Sequence, residues 1–137
     1  MEHKFHISLP CLHIAATRKF YETILEAEIG RSAPNWLDVN LNGNQITFSK
    51  SGKYKFEYPS YSFEKIVLPS FHFGIILPEK EWKKKHNKMK AENFIHIPET
   101  KFLTGKKGAH KSFFLRDPNG YIIEFKCFDN IEEAFES

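Results

Sequence analysis

The chain writes one pattern twice, and this repetition constrains the fold more than any other feature. Lys4-Phe5-His6-Ile7-Ser8-Leu9 alternates with period two and runs into Pro10. Phe71-His72-Phe73-Gly74-Ile75-Ile76-Leu77-Pro78 repeats the idea. Each reads as a strand stopped by proline, which cannot donate to a sheet ladder. A helical stretch and three strand-like runs follow in both cases. Late in the first copy Asn42-Gly43 precedes Gln45-Ile46-Thr47-Phe48, and late in the second Asn119-Gly120 precedes Ile122-Ile123-Glu124-Phe125. Asparagine and glycine tolerate the backbone angles of tight turns, so both pairs mark hairpins. A period of about seventy residues is not that of a solenoid; it implies two βαβββ modules closing a shared sheet.

The remaining elements fall into place around that frame. Ile14, Arg18, Tyr21 and Leu25 have helical spacing over 13–25, with His13 as a poor cap. Strands are predicted over 27–32, 36–41 and 45–49. Residues 51–65 read as a linker or flap, because Gly52 and Pro59 interrupt a polar, aromatic stretch. A second helix is expected over 79–92, with Trp82, His86 and Met89 as its core stripe and the lysines on its solvated face. A strand over 94–100 and a Gly-rich loop lead into the last hairpin. There Pro118 pre-sets φ for the Asp117-Pro118-Asn119-Gly120 turn, with aromatic and β-branched residues on either side. The chain is thus α+β, one domain over 1–137, built of modules at about 1–55 and 66–137.

Composition excludes some partners. A net charge of +3 with interspersed signs is too weak a bias for nucleic acid. No apolar run reaches the length of a membrane span, and Met1-Glu2-His3-Lys4 leads straight into the first strand, so a cytoplasmic protein is expected. Cys11 and Cys127 form no CxxC pattern and read as free thiols. Fourteen phenylalanines point to aromatic layers or an aromatic pocket.

The repeat also sorts the residues that carry chemistry. His6 and His72 stand at matched places in the two modules, and Glu124 is a lone acid in the apolar strand that ends the second. A carboxylate there needs a partner, because its burial is costly. Two imidazoles and a carboxylate suit a divalent first-row cation with positions left open for substrate. In the equivalent strand of the first module Gln45 and Thr47 share one face; Thr47 aligns with Glu124, and Gln45 is the better oxygen donor. Arg116, Lys126 and His110 are candidate substrate contacts. Arg116 also reads as a structural partner for the turn, and the segment over 54–63 as a cover that sorts substrates or a dimer contact.

Phe5-His6-Ile7-Ser8-Leu9-Pro10, Arg18-Lys19-Phe20-Tyr21, Phe71-His72-Phe73-Gly74 and the stretch from Lys111 to Phe128 resemble the vicinal oxygen chelate superfamily of glyoxalases, bleomycin-resistance proteins and extradiol dioxygenases. The resemblance covers nearly the whole chain. It implies a curved half-barrel sheet around a metal cavity, with His6, His72 and Glu124 as ligands of one divalent ion (Fe²⁺, Mn²⁺, Ni²⁺, Co²⁺ or Zn²⁺). It further implies a homodimer and a small-molecule substrate with vicinal oxygens, polarised by a Lewis acid for a lyase, isomerase or dioxygenase step. The alternative is a non-catalytic protein that sequesters a drug or metabolite. Departures are visible: His13 stands where relatives commonly cap the first helix with Asp, and Glu26 where many have Gly. With only Gln45 or Thr47 at the fourth position, a glyoxalase I chemistry using a fourth-ligand carboxylate is not expected.

Overall fold

The computed structural model describes residues 3–53 and 58–136. They form two compact units. The first comprises residues 3–53 together with Asp117–Gly120; the second comprises 58–116 and 121–136.

In the first unit β1 (His6–Cys11) is followed by α1 (Ile14–Lys19), a π-helical turn (Phe20–Ile24), β2 (Glu28–Ala33), β3 (Trp36–Leu41) and β4 (Asn44–Lys50). The sheet order is β1-β4-β3-β2, with β1 and β4 parallel and the rest antiparallel. Strand β1 does not stop at Pro10 but runs through it. The Phe5 and Cys11 carbonyls accept from Gln45 N and Ser51 N. By alternation, the nitrogen of Pro10 therefore points away from β4. An edge strand tolerates proline there, since no ladder bond is lost. The predicted helix is split. Leu25 N reaches back to Phe20 O, an i→i−5 bond, and Glu26 then takes φ +56°, a left-handed conformation that favours glycine. His13 is the helix N-cap and makes no side-chain capping bond, as its chemistry implied.

In the second unit a hairpin of β5 (Ser60–Phe63) and β6 (Ile66–Pro69) precedes β7 (Phe73–Ile76), α2 (Glu79–Ala91), β8 (Ile95–Phe102), β9 (His110–Arg116) and β10 (Ile122–Phe128). The sheet order is β7-β10-β9-β8, the same plan as in the first unit. On one face Phe113 and Phe125 stack across the β9–β10 pair, and Trp82 of α2 packs edge-on against Phe113 and donates to Phe125 O at 2.8 Å. On the other face Leu68, Phe102, Phe114 and Ile122 form a smaller core beneath the β5–β6 hairpin. The stretch expected to be linker or flap is thus, from Ser60 on, a packed hairpin. Its turn residues Glu64 and Lys65 both have positive φ, a two-residue I′ geometry reached without glycine or asparagine. Tyr54 and Phe56 lie outside the described residues.

The Asp117-Pro118-Asn119-Gly120 turn belongs to the first unit, although the strands it joins belong to the second. Gly120 N closes the turn on Asp117 O, and Gly120 takes φ +93°. Asp117 accepts from Asn119 N at 2.8 Å and from Tyr21 Oη at 2.9 Å, while Asn119 Oδ1 accepts from Leu12 N at 2.9 Å. All three acceptor sites are buried or partly buried, so each bond satisfies a group that would otherwise be costly. Cys11 and Cys127 are buried free thiols, and burial pushes both above the ordinary thiol range. No helix among the described residues is long and apolar enough to cross a membrane.

Candidate functional site

The register of the two sheets supports the matching of residues between modules. His6 pairs with Gln45 and Ser8 with Thr47 on the β1–β4 ladder. Phe73 pairs with Ile123 and Gly74 with Glu124 on the β7–β10 ladder. If His72 takes the place of His6, Glu124 takes that of Thr47, as expected from sequence. One detail differs: His72 lies just before β7 rather than within it.

That position gives the imidazole a fixed orientation. His72 Nδ1 lies 3.1 Å from Pro69 O at the end of β6. Only a protonated Nδ1 makes that contact favourable, so the other nitrogen is left to face the sheet. There Nε2 stands 3.1 Å from Glu124 Oε1. Ser112 Oγ donates to the second carboxylate oxygen at 2.6 Å, and Lys126 Nζ is 3.8 Å from the same oxygen. Burial alone pushes the Glu124 carboxyl up; the bonds from His72 and Ser112 and the Lys126 charge outweigh it and hold the group below its ordinary value. The bond to Glu124 raises His72 against its own burial, with the Pro69 carbonyl assisting.

Gly74 is what lets the strands meet this closely. A methyl group on it would fall on the Glu124 carbonyl oxygen and within 3.0 Å of the Glu124 Cα. A side chain at residue 74 is therefore incompatible with the placement of Glu124.

The pair opens onto a cavity of about 220 Å³ within the second unit. Its polar lining is His72, Glu124, Lys126 and His110, and its apolar wall is Tyr61, Phe63, Leu68 and Phe102. His110 Nδ1 lies 2.8 Å from Gly108 O, and its ring is packed on Phe102 and Phe128. Two of the three candidate substrate contacts, Lys126 and His110, thus line the pocket. Arg116 is an exposed residue at the end of β9 and does not.

The first unit holds His6, exposed on β1, and a residue that sequence reasoning passed over. Asp38 on β3 is buried and accepts from Thr47 Oγ1 at 2.7 Å and Gln45 Nε2 at 3.2 Å, with the Arg31 guanidinium 4.0 Å away. Both candidates for a fourth donor are therefore engaged with a carboxylate, Gln45 through its amide nitrogen, which leaves its oxygen unspent. The signal was present: Asp38 is a lone acid in an apolar strand, as Glu124 is.

A divalent cation fits the second unit's donors. With Nδ1 protonated, the Nε2 lone pair and a carboxylate oxygen face each other at 3.1 Å, an arrangement that repels unless a proton or a metal ion lies between them. Within neither unit, among the described residues, do three or more His, Cys, Asp or Glu side chains gather around one point.

Residues 5–125 match the model of the Glyoxalase/Bleomycin resistance protein/Dioxygenase superfamily. Among solved structures, a glyoxalase/bleomycin resistance protein/dioxygenase from Alicyclobacillus acidocaldarius is similar, with TM-score 0.82 and 22% identity over 98% of this chain and 97% of that one. The fosfomycin resistance protein FosX from Listeria monocytogenes is similar with TM-score 0.66 and 18% identity, over 98% and 99% of the two chains. An integron cassette protein of Vibrio cholerae gives TM-score 0.61 and 22% identity, over 93% and 95%. No curated protein matches the sequence.

Proposed function

The chain belongs to the Glyoxalase/Bleomycin resistance protein/Dioxygenase superfamily, and from that premise we propose that it is a metal-dependent enzyme acting on a small substrate with adjacent oxygens. The observation that carries this reading is the His72–Glu124 pair. The Pro69 carbonyl fixes the tautomer of His72, and Ser112 fixes one oxygen of Glu124. What remains is one nitrogen and one oxygen lone pair converging at the floor of a pocket. In this reading His72 and Glu124 are two ligands of a divalent ion and His6, at the matched position of the first module, is the third. The ion's part is that of a Lewis acid toward the substrate's oxygens.

The chain's own residues supply the rest. Tyr61, Phe63 and Phe102 give the substrate an apolar wall, and Lys126 offers a positive charge beside the ligand carboxylate. In the first module Thr47 and Gln45 hold Asp38 as an acceptor. The step itself is a lyase, isomerase or dioxygenase reaction, and the protein works as a homodimer.

Elemental analysis of untagged protein tests the reading. About one divalent ion per chain is expected, lost in His72→Ala and Glu124→Gln and weakened in His6→Ala. Absence of metal, with no uptake of Fe²⁺, Mn²⁺, Ni²⁺ or Zn²⁺, would leave the same pocket as that of a sequestering protein.

A further inference from the structure

Building on that reading of the same pocket, we propose that its ligand is a small organic anion with a flat apolar body, recognised by the Lys126 ammonium. The charge of the lining points this way. Glu124 is the one acid among the lining residues, and it is already engaged by Ser112, His72 and Lys126. Lys126 is not used up in return. Its nitrogen lies 3.8 Å from Glu124 Oε2, beyond hydrogen-bond length, so its three N–H donors are uncommitted among the described residues. The ammonium is also held 5.6 Å over the Phe128 ring, which places it without consuming a donor.

His110 lines the same pocket in a fixed orientation. Its Nδ1 is spent on Gly108 O, and its ring is clamped between Phe102 at 5.2 Å and Phe128 at 5.1 Å. The remaining nitrogen, Nε2, then carries a lone pair, so this held ring offers the ligand an acceptor for a hydroxyl or amide donor. The apolar lining is flat: Phe63 lies 5.5 Å from Phe102, and Tyr61 and Leu68 line the same cavity. At about 220 Å³ the cavity is below the roughly 300–1,000 Å³ of drug-sized ligand sites, so its occupant is compact. Lys126 is two residues from Glu124 on one strand face, about 7 Å along β10. A ligand anchored there by its charge carries its neighbouring oxygens to the His72–Glu124 pair.

Calorimetric titration of the full chain with phenylglyoxylate and with its uncharged methyl ester isolates the charge, since both have adjacent oxygens. The acid is expected to bind at least about tenfold more tightly than the ester, as one charge-assisted hydrogen bond allows. Lys126→Met should abolish that preference, and Lys126→Arg should retain it. Equal binding of acid and ester, undiminished acid binding in Lys126→Met, or no binding of the acid overturns the proposal. Each titration is run with chelator and with added Mn²⁺ or Zn²⁺. Acid binding that depends on Lys126 in a protein that takes up no metal overturns the metal reading alone. Metal uptake with charge-blind binding overturns this proposal alone.

Discussion

At the scale of single residues, the His72–Glu124 pair makes stability depend on pH in a definite direction. The raised His72 contributes stability that is complete below its unfolded value near 6.5 and is lost as pH rises through its higher folded value. The lowered Glu124 contributes stability that is complete above its unfolded value near 4.5 and is lost as pH falls through its lower folded value. Metal-free protein should therefore be most stable between those two values, with melting temperature falling on both sides. In His72→Gln the alkaline decline should flatten, and calorimetry in chelator from below the acid end of that range to above its alkaline end reads both limbs. A second residue-scale prediction concerns Gly74. Gly74→Ala forces β7 and β10 apart at Glu124, so it should cost about 2 kcal/mol or more by chemical denaturation and weaken metal uptake. Tyr21→Phe removes the hydroxyl that Asp117 accepts from, and a loss of about 1–2 kcal/mol is expected in the same assay.

Among the elements, the β5–β6 hairpin is the one whose attachment can be tuned. Both oxygens of Glu64 in its turn accept from Leu103 N, at 2.9 and 3.0 Å. Glu64→Ala should release the turn, giving faster amide exchange over 60–69 and a loss of about 1 kcal/mol. Elements whose physics is local are legible in the sequence: the alternation of β1, the stripe of Trp82 and Met89, the Pro-Asn-Gly turn. The β5–β6 hairpin was not, because Glu64-Lys65 lacks the residues that announce an I′ turn and the alternating Tyr61 and Phe63 lie in a polar setting. Pro10 misled for a related reason. A proline ends a central strand, but whether a strand is central or at an edge is decided by partners far along the chain. The site followed the same division. The repeat singles out His72 and a lone acid in an apolar strand singles out Glu124, whereas Asp38 stands out through its bonds to Thr47 and Gln45.

For the molecule as a whole, likeness to an Alicyclobacillus protein at 22% identity shows how little of the sequence the fold requires. Within this chain the contacts of Asp117 and Asn119 tie together segments about a hundred residues apart in sequence. The chain passes between its two units at three places: between 57 and 58, between 116 and 117, and between 120 and 121. That has a consequence for synthesis. A ribosome delivers the first fifty residues long before the turn that Tyr21, Thr17 and Leu12 bond to, so the nascent first module waits with those polar groups unanswered. The earliest-made half is completed by four residues from near the other end of the chain. A fragment ending at residue 57 should accordingly remain unfolded by circular dichroism, and the native state should appear in one cooperative step only after residue 120 has emerged.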